Sequence, residues 1–274
     1  MAVVNRDGVR IYYEVRGTGP TVVSIPGLGC SVAIAKWIGY DKSLPGRRLI
    51  LVDPRGHGRS DKPRDPVAHR IEEYRDDIRA VLDVEDVETA VLWGFSIGSD
   101  IACAVAAAYP NRVTALIDHD GMEAVDMCDP PGSQELRDWA LAVRAHRVHL
   151  LAQREAAEQY STPPALRELF EQEDPEMVAL EVESWSRWKG PASVLPGIRT
   201  PMLMLANSMR EQGEVDRLRS LPGGPTEFHT IPDTGHLRIC FELQLTLPLI
   251  REFVVRIQPK GSRPAGIGSA MEVK

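Results

Sequence analysis

A short apolar run, Ala90-Val91-Leu92-Trp93, ends in Gly94-Phe95-Ser96-Ile97-Gly98 and gives way to a small, apolar stretch from Ile97 to Ala108. Nothing else in the chain constrains the fold as much. A buried strand has to turn sharply into a helix that packs closely on a sheet. The two glycines are needed sterically. Side chains at 94 and 98 would meet neighbouring elements, and the turn puts the serine in a strained backbone conformation. The helix opening at Ile97 points its first amides toward Ser96, where they would stabilise negative charge. Ser96 is therefore the candidate nucleophile.

The rest of the chain supplies the layers such a turn needs. Residues 9–15 (VRIYYEV) and 21–25 (TVVSI) are β-rich and separated by Gly17-Thr18-Gly19-Pro20, a turn signal. Leu49–Val52 and 113–119 (VTALIDH) are further strands, and 71–83 carries apolar residues at 71, 74, 78, 81 and 82, a helical period. Strand and helix alternate up to residue 120, which predicts an α/β fold with a mostly parallel sheet and helices on both faces. Residues 133–190 break the rhythm. They are polar, Glu/Arg-rich and helical in pattern, with Trp139, Trp185 and Trp188 interspersed. They predict an inserted helical lid over 131–195, between core segments 1–130 and 196–257. The core resumes with strands at 202–205 and 226–231 and a closing helix at 242–257. The Gly/Pro/Ser-rich tail, 258–274, is expected to be disordered. With 274 residues the chain can bury one large α/β core.

Composition narrows the function. The net charge of -7 carries no basic stripe for nucleic acid and disfavours an anionic membrane surface. No apolar run approaches the ~20 residues of a membrane helix, so no membrane insertion is expected. The N-terminus lacks the basic and apolar regions of a signal peptide. Four scattered cysteines, Cys30, Cys103, Cys128 and Cys240, suggest neither a metal site nor a disulfide frame. The expectation is a cytoplasmic protein with no metal or organic cofactor and a small-molecule substrate. Its oligomeric state is left open.

A serine hydroxyl needs a base to take its proton. Of seven histidines, His236 follows the last predicted strand in Ile231-Pro232-Asp233-Thr234-Gly235-His236. That is the carboxyl end of the sheet, where doubly wound folds place their sites. His57, in Gly56-His57-Gly58, is the rival, with a loop-structuring role preferred for it. His69, His146, His149 and His229 are expected on the surface or lid. His119 could line the pocket or simply pack.

Four motifs together resemble the α/β-hydrolase superfamily over residues 5–257: Pro26-Gly27-Leu28-Gly29, Asp53-x-Arg55-Gly56-His57-Gly58-x-Ser60, the turn at 94–98, and Gly235-His236. The resemblance implies that the Leu28 and Ile97 amides form an oxyanion hole, although the family usually has His-Gly where this chain has Pro26-Gly27. It also implies a third catalytic residue, a carboxylate. The family's usual acid slot follows the strand 202–205, but register from Pro201 places Arg210 there, with Glu211 one residue on. A subset of the superfamily, including some haloalkane dehalogenases, carries the acid one strand earlier, and the corresponding residue here is Asp120. Ser96, His236 and Asp120 are accordingly the expected triad, with Asp118 and Glu211 as alternative acids. Asp53, Arg55 and Ser60 are expected to organise their loop.

The expected reaction is hydrolysis of an ester or lactone of a largely apolar small molecule through an acyl-enzyme. Trp37, Phe95, Trp139, Trp185 and Trp188 are the candidate pocket walls. A C–C bond hydrolase, acyltransferase or cyclase on the same fold is an alternative, as is a non-catalytic ligand-binding protein.

Overall fold

Eight strands hydrogen-bond into one sheet in the order β1-β2-β4-β3-β5-β6-β7-β8. In the computed structural model, which describes residues 2–121, 130–145 and 155–257, these are β1 (Ala2–Arg6), β2 (Val9–Arg16), β3 (Thr21–Ile25), β4 (Arg48–Val52), β5 (Ala90–Phe95), β6 (Val113–His119), β7 (Met202–Asn207) and β8 (Thr226–Ile231). β2 runs antiparallel to both neighbours, and every pairing from β4 to β8 is parallel. β5 is buried at all its residues and β6 likewise, as expected for central strands covered on both faces. That coverage is why they read as continuous apolar runs.

The described helices include α1 (Val32–Ile38), α2 (Ile71–Val84), α3 (Ile97–Ala108), α4 (Pro130–Ala145), α5 (Pro164–Glu171), α6 (Pro175–Trp185), α7 (Gln212–Ser220), α8 (His236–Phe241) and α9 (Leu247–Arg256). On one face, Ile78, Val81 and Leu82 of α2 and Ile101 and Val105 of α3 pack on Ile50, Leu92 and Leu116. On the other, Val32 and Ile34 of α1 and Phe253 and Val254 of α9 pack on Leu51, Trp93 and Ile117. The small side chains of α3 allow its close approach: a Cβ at Gly98 would lie 2.0 Å from the Ile25 carbonyl oxygen.

Between β6 and β7 the described chain is helical. α4 and α6 share an apolar cluster of Ala140, Val143, Val178, Ala179 and Val182. Arg144 of α4 joins them by ion pairs to Glu176 and Glu183. Residues 122–129 and 146–154, with Cys128, His146 and His149, lie outside the described residues, as does the expected tail at 258–274.

Two elements are added and one expectation is corrected. The closing helix expected at 242–257 is α9, with Pro248 in its first turn, and a short helix, α8, precedes it in the stretch read as the loop carrying His236. β1 is an additional edge strand. His69 is buried rather than superficial: its Nδ1 lies 2.9 Å from the Tyr74 hydroxyl and its Nε2 2.7 Å from the Pro63 carbonyl.

Candidate active site

The sheet register brings the expected residues together. Phe95 and His119 are paired across β5 and β6, so Ser96 and Asp120 each begin the loop just past adjacent strand ends. The Ser96 amide donates to the His119 carbonyl at 3.1 Å, and the Asp120 amide to the Leu205 carbonyl at 2.8 Å. Both residues have left-handed backbones, with φ of 52° at Ser96 and 55° at Asp120. Non-glycine residues hold that conformation only where the surroundings impose it. Here the packing does so: a Cβ at Gly94 would meet the Ser99 amide nitrogen at 2.2 Å, and one at Gly121 the Ser96 carbonyl oxygen at 2.2 Å.

His236 enters from the loop after β8. Its Nδ1 lies 2.7 Å from Asp120 Oδ2 and its Nε2 lies 3.1 Å from Ser96 Oγ. With Nδ1–H donating to the carboxylate, Nε2 is left to accept the serine proton. The Phe95 ring flanks the imidazole at 6.1 Å between centroids.

Asp120 is fully buried and heavily bonded. Besides His236, its Oδ1 accepts from the Asn207 amide at 2.9 Å and from Arg210 Nε at 3.2 Å, and Asn207 Nδ2 reaches both oxygens. Burial by itself would raise this carboxyl. The hydrogen bond and charge of His236, the charge of Arg210 and the Asn207 amide outweigh it and hold Asp120 well below the usual carboxylate range. Asp118 differs. Its Oδ1 accepts from the Gly121 amide at 2.8 Å, and burial pushes it up to about 6. Glu211 is exposed at the start of α7. Of the three candidate acids, the structure brings Asp120 to His236.

The loop 26–29 closes over the serine. A Cβ at Gly27 would lie 3.0 Å from Ser96 Cβ. The Gly29 amide donates to His57 Nε2 at 3.2 Å, while His57 Nδ1 lies 3.2 Å from the Arg55 carbonyl. His57 therefore braces the loop that carries Leu28, and burial lowers it to about 4, so it stays neutral. The Leu28 and Ile97 amides donate to no acceptor among the described residues. Asp53 accepts the amides of Val32 at 2.5 Å and Arg59 at 2.8 Å, Ser60 bonds the Asp53 carbonyl, and Arg55 pairs with buried Asp77 through two contacts of 2.7 Å. All three serve the loop.

His119 is packed, not presented. Its ring lies 3.1 Å from the Tyr40 hydroxyl and 3.0 Å from the Ile239 carbonyl. Leu28, Trp139 and Trp185 pack around the α4–α6 cluster, and Trp188 packs on the core beneath α2 and α3. Trp37 stands apart on α1, 44% exposed and in none of the three apolar clusters. The sequence reading missed Asn207 and the contact of Arg210 with Asp120. The signal available was a cation standing in a slot that usually holds an acid.

A strand–serine–helix elbow at the carboxyl edge of such a sheet defines the α/β-hydrolase class of folds. Residues 20–179 match the alpha/beta hydrolase fold family, and the chain belongs to it. It is similar to a zearalenone hydrolase of Cladophialophora bantiana, with 29% identity over 148 residues that cover 50% of this chain and 51% of the relative. The chain spans about a third to a half of the length of the curated relatives it matches. Among solved structures it is similar to a thermophilic esterase of Thermogutta terrifontis, with TM-score 0.76, 23% identity, and coverage of 94% of this chain and 97% of the other. The enol-lactonase of Burkholderia xenovorans LB400 gives TM-score 0.69 and 18% identity, covering 93% and 100%.

Proposed function

We propose that the protein is a serine hydrolase that cleaves a carboxylic ester or lactone of a largely apolar small molecule through an acyl-enzyme. The observation that carries this reading is the hydrogen-bonded chain Asp120–His236–Ser96, with contacts of 2.7 and 3.1 Å. His236 Nε2 takes the Ser96 proton as Oγ attacks the substrate carbonyl. The tetrahedral oxyanion is held by the Leu28 and Ile97 amides, each donor worth about 2.7–4 kcal/mol in the transition state. The imidazolium, stabilised by Asp120, gives its proton to the leaving alkoxide. Water then repeats the sequence on the acyl-enzyme, returning the acid and the free serine.

The apolar substrate class is supported by the cluster of Leu28, Trp139, Trp185, Val178 and Val182, which joins the loop over the serine to the inserted helices. Those helices act as the lid over the pocket. Names of similar proteins, an esterase and an enol-lactonase, agree with ester and lactone chemistry. The three described cysteines, Cys30, Cys103 and Cys240, are buried free thiols, which suits the reducing cytoplasm. Among the described residues no helix is long and apolar enough to cross a membrane.

The test is covalent labelling with a fluorophosphonate probe, followed by a panel of chromogenic esters and lactones. Ser96 should be modified, and Ser96→Ala should abolish both labelling and turnover. Hydrolysis that survives in Ser96→Ala would overturn the acyl-enzyme. Absence of labelling in folded protein would favour a ligand-binding role.

A further inference from the structure

Arg210 stands where the family's acid usually stands, and its side chain turns back onto Asp120. Nε lies 3.2 Å from Asp120 Oδ1, Nη2 donates to the Gly121 carbonyl at 2.6 Å, and Nη1 pairs with Glu214 one helical turn ahead. The Arg210 side chain is 11% exposed and that of Asp120 0%. Three anchors on one planar fork fix its place.

We infer that Arg210 is a positioning residue of this site: it clamps the relocated acid and puts a fixed positive charge beside it, which sets where the acid limb of the pH–rate profile falls. The inference rests on the triad reading above. Its physical content is competition for one carboxylate. Asp120 presents Oδ2 to His236 and Oδ1 to Arg210, so the imidazolium shares its counter-ion with a permanent cation. The two cations repel each other across that carboxylate, so removing Arg210 changes what Asp120 offers the imidazolium formed during turnover.

The other titratable or charged groups packed around His236 are few. His119, from β6, is buried and lowered to about 4. Cys240 of α8 brings its sulfur within 4.8 Å of the Asp120–His236 pair. Arg238 on α8 bonds the Asp233 carbonyl. Glu158, from the inserted segment, accepts the Leu237 amide at 2.8 Å. Substitution at Arg210 leaves all four in place, but it also takes a lowering charge away from buried Asp118, so each Arg210 variant is compared with the same variant carrying Asp118→Asn.

The test is the rate of Ser96 modification by a fluorophosphonate probe as a function of pH. Arg210→Met should move the acid limb up by about half to one pH unit, with the plateau reduced less than tenfold because Asn207 still holds the acid. Arg210→Lys should leave the limb close to wild type with a lower plateau. Glu214→Gln, which keeps Arg210 but removes its compensating anion, should move the limb down. This second variant keeps the idea testable if Arg210→Met does not fold. A limb that stays put in folded Arg210→Met, or that moves up in Glu214→Gln, would overturn it. Asp120→Asn in the same series separates the two readings. Slow labelling there with an unmoved limb in Arg210→Met removes the role of Arg210 and keeps the triad. Full-rate labelling in Asp120→Asn removes both.

Discussion

A carboxylate has about four lone-pair directions, and Asp120 has them filled by His236, Asn207 and Arg210. Replacing it with asparagine keeps the volume but reverses one end from acceptor to donor. The Asn207 amide and Arg210 would hold the new amide's oxygen at the Oδ1 position, leaving its NH2 to face His236 Nδ1 as a donor, so the Nδ1–H tautomer of His236 would no longer be held. Asp120→Asn is therefore expected to lower kcat on a chromogenic ester by about 10³–10⁴. Glu211→Gln, at the exposed start of α7, is expected to stay within about twofold, a surface change without partners at the site. A severe loss in Glu211→Gln together with an active Asp120→Asn would move the acid to the later loop.

At the scale of elements, the elbow depends on how closely α3 approaches β3. A Cβ on Gly98 would meet backbone alone: the Ile25 carbonyl at 2.0 Å and the Pro26 carbonyl oxygen at 2.8 Å. Backbone cannot rotate away, so Gly98→Ala must push α3 off the sheet. The expected cost is about 3 kcal/mol or more, which for a chain this size lowers Tm by roughly 6–12 °C. Labelling of Ser96 should fall too, because Ile97 and the loop carrying Leu28 part company. A wild-type melt with full labelling would refute this. The same elbow shows what the sequence could and could not tell. Strand, glycines and small apolar helix are local, so β5, Ser96 and α3 are legible from the residues alone. Pro248, in the first turn of α9, is a local signal too, whereas α8 is six residues long and too short to show a helical period. His69 lies in a polar stretch and looks superficial; its burial depends on the glycine-rich loop folding over it. The hold of Asn207 on Asp120 depends on β6 and β7 being neighbours, a property of strand order that no local pattern carries.

Across the whole molecule, buried titratable groups pull stability in opposite directions with pH. Burial raises Asp53 and Asp118 to about 6. Folded protein holds those protons more tightly than unfolded chain, so their contribution is full below the ordinary carboxylate range and drains away as pH rises toward 6. Burial lowers His57 and His119 to about 4. Their contribution is full above the ordinary histidine value and is lost as pH falls from about 6.5 toward 4. Between pH 4 and 6 the two pairs largely offset each other. Glu181 pulls in the same direction as the two aspartates. It lies on α6 facing His57 at 3.3 Å, its Oε2 has no hydrogen-bond partner, and burial, with Glu173 adding to it, raises it well above the usual carboxylate range. Its proton is therefore retained in the folded state while the unfolded chain has already released its own, and stability drains as pH climbs above the ordinary carboxylate range. Glutamine has the same shape and no proton to lose. Glu181→Gln should raise the denaturant midpoint relative to wild type by more at pH 8 than at pH 5.5, measured by urea unfolding at both. An equal shift at the two pH values would mean that Glu181 is ionised in the folded protein, with α6 held to the loop by a His57–Glu181 ion pair instead.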